Sequence, residues 1–241
     1  MNTSTIENIN KEIEKNLGHK HLDDIMVIAS PFTGSSKVVY ILTPTAIPMA
    51  TLQQWSACYR CNIVEVSGFD WDNDMTPWSA TNVPATEPPF AGHAASFLHL
   101  LTGHIVPEAE HAMGLSTDTE RSLLGISLSG LFAVWSWMTD DRFTNIGSIS
   151  GSFWFDNFID WLQLHVTRKS GVARFSIGAL EGGSHGNPRF ANVQEQTREV
   201  VDILLKAGID ATLTTNPGDH FAPIAPRIDS MLSLLFPNAE K

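Results

Sequence analysis

The sequence predicts an α/β fold with a mostly parallel central sheet and helices on both of its faces. Short apolar, β-branched runs recur along the chain, and runs such as residues 38–42 lack the alternation of a strand with one solvent-exposed face. Stretches with helical spacing of apolar residues separate these runs, as expected for parallel strands joined by crossover helices. One apolar run leads through a tight turn, residues 125–130, directly into a helix.

Taken in order, the predicted elements alternate between strands and helices. We expect strands at residues 25–29, 38–42, 62–66, 123–126, 145–150, 173–177 and 211–215. We expect helices at residues 50–59, 93–105, 107–113, 131–138, 158–165 and 191–207, and a final helix that ends near residue 236.

Length and composition indicate one compact domain. The chain has 241 residues, of which 43% are hydrophobic, and this is enough for a sizeable core. We expect residues 1–241 to form a single domain, in which residues 1–24 contribute a peripheral helix. Residues 67–92 have the composition of a long loop, and a loop of this length in a compact domain usually has a function. We therefore expect it to lie over the site.

The charge balance argues against polyanionic partners. The chain has 26 acidic and 15 basic residues and no run of lysine or arginine, which disfavours binding to nucleic acid or to an anionic membrane. The start of the chain lacks a signal-peptide pattern, and no apolar run is long enough to cross a bilayer. We expect a cytoplasmic protein that acts on a small molecule, and we leave a homodimer open.

The turn at residues 125–130 reads Gly-Ile-Ser-Leu-Ser-Gly. A strand, a tight turn centred on serine and a helix form the nucleophile elbow, written Gly-x-Ser-x-Gly. The positions two before and two after the serine must be small, because strand and helix cross there with little room for a Cβ atom. Gly125 and Ser129 occupy these positions. The candidate nucleophile is therefore Ser127.

A serine hydroxyl needs a base to accept its proton and an acid to hold that base. In the α/β-hydrolase fold the three follow the order serine, acid, histidine, each after a strand. His220 follows the last predicted strand and is the candidate base. His185 is close enough in sequence to Glu181 to be a pocket residue, but an exposed loop histidine is the favoured interpretation. Glu181 follows the strand before the last one and is the candidate acid. Asp156, after the preceding strand, is the alternative acid.

The order of elements in the α/β-hydrolase fold also predicts which residues form the oxyanion hole. One oxyanion donor is the N–H of the residue after the nucleophile, Leu128, and the second comes from the loop after the third strand of the fold. In that loop Pro44 has no N–H, so Thr43 or Thr45 is the second candidate. The expected substrate-binding residues are Trp78, Trp154, Phe155 and Asp156, although core packing is the alternative for each of the three rings.

Four stretches, in chain order, resemble the esterase family of α/β-hydrolases that includes enterochelin esterases and esterase D-like proteins. Residues 73–78 are similar to its Arg-Asp-Leu-Thr-Pro-Trp loop, and residues 125–132 to its Gly-x-Ser-Leu-Gly-Gly-Leu-Phe elbow. Residues 148–154 are similar to its post-elbow strand and turn, and residues 216–221 to its histidine loop. The resemblance implies an α/β-hydrolase fold, with Ser127 as nucleophile and His220 as base.

The same resemblance favours one acid and marks three departures from the family, of which the first is Asn73 in place of an arginine. Residues 178–181, Gly-Ala-Leu-Glu, are similar to the family's Gly-Asp-Lys-Glu, which favours Glu181 as the acid. Ser129 stands where the family has glycine or alanine. The loop that begins at Leu42 reads Leu-Thr-Pro-Thr where the family has Leu-Asp-Gly.

These observations predict a serine esterase that forms an acyl-Ser127 intermediate and needs no metal or organic cofactor. A siderophore lactone is one substrate that the resemblance allows. The alternative is a catalytically weak or inactive α/β-hydrolase scaffold that serves as a binding protein. Convergence of Ser127, His220 and Glu181 within hydrogen-bond reach distinguishes the two.

Overall fold

A seven-stranded sheet forms the centre of the molecule in the computed structural model, which describes residues 3–18, 24–182 and 188–237. The spatial order of the strands is β1-β3-β2-β4-β5-β6-β7. β1 pairs antiparallel with β3, and the other neighbours pair parallel. The strands are β1 (Met26–Ser30), β2 (Lys37–Leu42), β3 (Asn62–Ser67), β4 (Glu120–Ile126), β5 (Asn145–Ile149), β6 (Val172–Gly178) and β7 (Asp210–Asn216).

Helices cover both faces of this sheet, as the sequence predicts. One face carries α2 and α9, and the other carries the core helices α4 to α8. The helices of the described residues are α1 (Thr3–Gly18), α2 (Met49–Tyr59), α3 (Trp71–Asp74), α4 (Ala94–Leu100), α5 (Val106–Met113), α6 (Leu128–Thr139), α7 (Phe158–His165), α8 (Val193–Lys206) and α9 (Ile224–Leu235). None of them is long and apolar enough to cross a bilayer.

The missing alternation in β2 has a direct structural reason. Val38, Tyr40 and Leu42 pack into the core layer on one face of the sheet, and Val39 and Ile41 pack into the layer on the other face. All five side chains are fully buried. A parallel strand with helices on both sides has no solvent-exposed face, so these five positions are all apolar.

Helix α1 closes an edge of the sheet. Its buried residues Ile9 and Ile13 pack onto the core, and the side chain of Asn10 bonds to both backbone groups of Ala29 in β1. The Ala29 N–H donates to Asn10 Oδ1 at 2.7 Å, and Asn10 Nδ2 donates to the Ala29 carbonyl at 3.0 Å. An edge strand exposes such groups, and Asn10 satisfies them. The predicted peripheral helix is thus present, over Thr3–Gly18.

The stretch predicted as two separate helices follows one helical path. A π-helical turn, Leu101–Ile105, joins α4 to α5, and Pro107 lies in the first turn of α5. Proline has no N–H and clashes with the carbonyl four residues earlier in a regular helix. The wider π turn before it accommodates the proline without ending the helix.

Candidate active site

The nucleophile elbow lies between β4 and α6. Ser127 has φ 55° and ψ −120°, a backbone conformation that residues other than glycine rarely adopt. Its N–H donates to the Ile149 carbonyl at 2.9 Å, which ties the turn to β5. A Cβ atom on Gly125 would lie 2.0 Å from the Ser129 carbonyl oxygen. Only glycine fits there, so the elbow can form as the sequence predicts.

Ser129 has a structural position rather than a catalytic one. Its side chain is fully buried, and its hydroxyl accepts the Ile126 N–H at 2.8 Å. The same hydroxyl lies 2.9 Å from the carbonyl oxygens of Leu42 and Ile126, and its single proton can be donated to either of them. Ser129 therefore joins the elbow to the end of β2, where the resembled family has a residue without a hydroxyl.

Three side chains from three different loops meet at the carboxyl ends of the strands. Ser127 Oγ lies 3.1 Å from His220 Nε2, and His220 Nδ1 lies 3.0 Å from Glu181 Oε2. Glu181 follows β6 and His220 follows β7, which places both beside the elbow of β4. The structure thus brings the predicted nucleophile, base and acid into one hydrogen-bonded row. A fourth group, Ser152 Oγ, lies 3.2 Å from Ser127 Oγ.

Glu181 is buried, and its carboxylate is held by several donors. Its side chain is 2% exposed and accepts the Gly178 N–H at 2.7 Å and the Ser150 hydroxyl. Burial raises the pKa of Glu181, but hydrogen bonds from His220, Ser150 and the Gly178 N–H outweigh it and leave the pKa below its ordinary value. The carboxylate is therefore ionised at neutral pH, as an acid that orients a histidine must be.

Sequence reasoning missed Ser150 and Arg227. The Arg227 guanidinium, 4% exposed, donates to Ser150 Oγ, to Glu181 Oε1 at 3.2 Å and to the His220 carbonyl at 3.2 Å. Burial lowers the pKa of Arg227, while the nearby carboxylate of Glu181 raises it. Ser150 has φ 48°, which turns the chain back after β5. The one signal in the sequence was an arginine on the apolar face of the last helix, seven residues after His220.

Asp156, the alternative acid, lies away from the histidine and pairs with Arg189. The guanidinium donates to both carboxylate oxygens of Asp156, at 2.7 and 2.9 Å. The Asp156 carbonyl accepts the Trp78 indole N–H at 2.9 Å. Asp156 therefore holds loops together at the side of the site, and Glu181 occupies the position beside His220.

The predicted oxyanion donors have different surroundings. Leu128 begins α6 directly after the nucleophile and lines the cavity beside it. The Thr43 N–H donates to the Val66 carbonyl at 3.1 Å, and the Thr43 hydroxyl donates to Glu65 at 2.6 Å. Because this N–H already donates to a carbonyl of the neighbouring strand, the prediction that Thr43 is an oxyanion donor is wrong. Thr45 is exposed, and its role stays a prediction.

A cavity of about 320 Å³ opens beside Ser127. Of the four predicted substrate-binding residues, Trp154 lines it, whereas Trp78, Phe155 and Asp156 do not. Phe155 is 2% exposed and packs against Trp78, so these two rings contribute to core packing and not to the cavity. Five of the residues that line it are large aromatic residues: Trp71, Phe90, Trp154, Phe190 and Phe221.

The loop at residues 67–92 contributes part of this lining and is more ordered than its composition suggests. It contains α3 and an antiparallel bridge between Ala80 and Phe90. Trp71, Asp72 and Asn82 reach the cavity from this loop. These residues are far from the elbow in sequence, and no motif identified them. His185, the candidate pocket histidine, lies outside the described residues.

Several solved structures have the same overall architecture as this chain. An IroE-like serine hydrolase from Shewanella oneidensis superposes with a TM-score of 0.72 at 20% identity, over 88% of this chain and 75% of that one. The chain has the α/β-hydrolase fold. The siderophore hydrolase EstB from Aspergillus nidulans gives 0.66 at 15% identity over 90% of both chains. An enterobactin and salmochelin hydrolase, IroE, gives 0.63 at 21% identity over 88% of both chains.

Sequence comparison reaches less of the α/β-hydrolase chain. The uncharacterized protein YbbA of Bacillus subtilis (strain 168) is 31% identical over 115 residues, which are 46% of this chain and 45% of that protein. The chain thus spans about half the length of the curated relative it matches. No family model matches the chain.

Proposed function

We propose that the protein is a serine hydrolase that cleaves carboxylic esters through an acyl-Ser127 intermediate. The observation that carries this proposal is the row from Ser127 Oγ through His220 to Glu181, with separations of 3.1 and 3.0 Å. A nucleophilic serine needs a base within hydrogen-bond reach and an acid that orients the base, and this row supplies both.

The reaction follows from the positions of these atoms. Ser127 Oγ attacks the ester carbonyl while His220 Nε2 accepts its proton, and Glu181 stabilises the charged ring. The Leu128 N–H donates to the oxyanion that forms. His220 then gives the proton to the leaving alkoxide, and water hydrolyses acyl-Ser127 by the same route. The proposed chemistry uses no metal or organic cofactor.

For the substrate we propose a small carboxylic ester or a lactone. Two of the structural neighbours are named for hydrolysis of siderophores, so a siderophore lactone is one candidate. The cavity of about 320 Å³ is suited to a group of modest size beside the scissile bond. The cytoplasmic location that the sequence predicts stays a prediction.

One observation favours the second candidate, an inactive scaffold that binds a ligand. The Thr43 N–H pairs with the Val66 carbonyl, so of the predicted oxyanion donors Leu128 and Thr45 remain. Loss of one donor from an oxyanion hole lowers kcat by about 10²- to 10³-fold in a known hydrolase. The convergence of Ser127, His220 and Glu181 weighs more heavily, because a scaffold without catalysis does not need it.

Labelling with a fluorophosphonate probe tests the proposal. We expect the wild type to be labelled and to hydrolyse 4-nitrophenyl acetate, and Ser127→Ala and His220→Ala to lose both. Ser129→Ala is the matched control, because it removes a neighbouring buried hydroxyl and should keep labelling. A folded wild type that neither reacts with the probe nor hydrolyses the ester would favour the scaffold. Labelling that persists in Ser127→Ala would mean that another residue is the nucleophile.

A further inference from the structure

The cavity beside the nucleophile is built from aromatic rings and carries negative charge. Trp71, Phe90, Trp154, Phe190 and Phe221 supply the rings, and Phe221, 81% exposed, stands at its edge. Two carboxylates, those of Asp72 and Glu181, also line it. The lining that the structure describes contains no lysine or arginine.

The two carboxylates have different surroundings. Glu181 is buried and paired with His220 and Arg227, so its charge is compensated within the protein. Asp72 is an exposed residue of α3, and its Oδ2 lies 3.4 Å from Asn82 Nδ2. The Asp72 carboxylate lines the cavity and forms no salt bridge with another of the residues that the structure describes.

Two arginines that the structure describes around the site do not reverse this charge. Arg189 binds both oxygens of Asp156 and donates to the Thr81 carbonyl at 2.9 Å. Arg227 lies beneath Glu181 with 4% of its surface exposed. Each guanidinium is thus matched to a carboxylate, and neither lines the cavity.

We propose that this cavity accepts the aromatic part of a neutral or cationic ester, and that Asp72 excludes anionic esters. Aromatic faces attract cations and pack well on uncharged rings, whereas a carboxylate at the same cavity repels an anion. The proposal names a class of substrate for the proposed hydrolase and therefore rests on that function. It disfavours polyanionic ligands as substrates of this site, and among siderophore lactones it favours those without a net negative charge.

Equilibrium binding tests the charge preference without needing turnover. The probes are three ligands that share a phenyl ring and differ in charge: benzyl alcohol, benzyltrimethylammonium and phenylacetate. Binding to the Ser127→Ala protein, with and without Asp72→Asn, is measured by calorimetry and by quenching of tryptophan fluorescence. The matched control is Asp118→Asn, because Asp118 is exposed and precedes β4, at the amino ends of the strands, whereas the site lies at their carboxyl ends.

In the Asp72-containing protein we expect the cation to bind more tightly than the neutral ligand and the anion to bind least tightly. Asp72→Asn should lower the affinity for the cation and raise the affinity for the anion by about five-fold each at low salt. The affinity for the neutral ligand should change by less than about two-fold. Asp118→Asn should change none of the three. Anion binding that is unaffected by Asp72→Asn, or tighter than cation binding, would overturn the proposal.

Kinetics with matched acetates separates this inference from the proposed function. The esters are phenyl acetates with a neutral, a carboxylate or a trimethylammonium group at the para position, each normalised by its rate with hydroxide. If the neutral ester is hydrolysed but Asp72→Asn leaves the anionic-to-neutral ratio of kcat/KM unchanged, the charge proposal fails alone. If no ester is hydrolysed and no probe labels the protein, the hydrolase function fails, and the binding result still decides the charge preference.

Discussion

Arg227 in the last helix donates a hydrogen bond to Oε1 of Glu181 at 3.2 Å, from a position that is itself buried. The other carboxylate oxygen, Oε2, faces His220. One oxygen of Glu181 is thus held by Arg227, which is the support of this carboxylate, and the other faces the ring of His220. The support is a positioning contact, because Arg227 lines no part of the cavity.

Arg227→Met should therefore lower kcat much more than it raises KM. We expect a loss of about 10- to 100-fold in kcat, since small displacements of catalytic groups have effects of this size. The variant should also lose about 3 kcal/mol of stability, because the buried carboxylate of Glu181 loses the positive charge of Arg227. Steady-state kinetics and urea unfolding measure both. Arg227→Lys, which keeps the charge, should recover part of kcat, and a change confined to KM would argue against a positioning role.

Ser150 connects Arg227 to Glu181 in a strained backbone conformation, and a pair of variants separates its two properties. Both Ser150→Ala and Ser150→Gly lose the hydroxyl, but at φ 48° glycine relieves the strain and alanine does not. We expect both to lower kcat to a similar degree, and Ser150→Gly to be the more stable of the two in urea unfolding. Equal kcat in all three proteins would show that the hydroxyl does not position the acid.

Glu181 and Asp156 can be distinguished as acids by matched amide substitutions. Glu181→Gln should lower kcat/KM by about 10³- to 10⁴-fold, as loss of the acid does in a serine protease triad. Asp156→Asn should lower it by less than about 10-fold, because Asp156 pairs with Arg189 and not with His220. Hydrolysis of 4-nitrophenyl acetate measures both. The reverse ranking would make Asp156 the acid.

The sequence predicts the strands and the catalytic row for physical reasons. A strand between two helical layers is apolar at most of its positions, so β2 could be placed to within one residue of its observed start. The nucleophile and base follow from the tight turn at Gly125 and from the position of His220 after the last strand. These features depend on local backbone geometry and on chain order, both of which a sequence contains.

The cavity could not be predicted in the same way. Trp71 and Phe190 meet there although more than a hundred residues separate them, and each lies in a segment without periodicity. Trp78 and Trp154 are equivalent as sequence features, yet one packs against Phe155 and the other lines the cavity. Which ring faces a cavity depends on how the loops pack over the sheet. Thr43 failed as a donor for a related reason, since its N–H extends the pairing of the sheet.

Glu65, which is not part of the catalytic row, makes the free energy of unfolding depend on pH. It lies on β3 with no exposed surface, and its carboxylate accepts the Thr43 hydroxyl at 2.6 Å. Burial raises the pKa of Glu65 above its ordinary value of 4.5, although the hydrogen bond from Thr43 opposes the shift. Because the folded-state pKa is the higher one, this group's contribution is fully present below pH 4.5. It is lost as the pH rises through the raised pKa.

Glu65→Gln should therefore have little effect at pH 4 and stabilise the protein at pH 8. The gain should be about 1.4 kcal/mol for each unit by which the pKa is raised, measured by urea unfolding at both pH values. Glu181→Gln is the control of opposite sign. The lowered pKa of Glu181 contributes stability above pH 4.5 that is lost as the pH falls through the folded pKa, so this variant should lose more stability at pH 8 than at pH 4. Equal destabilisation by Glu65→Gln at both pH values would mean that its burial imposes no cost on the ionised form.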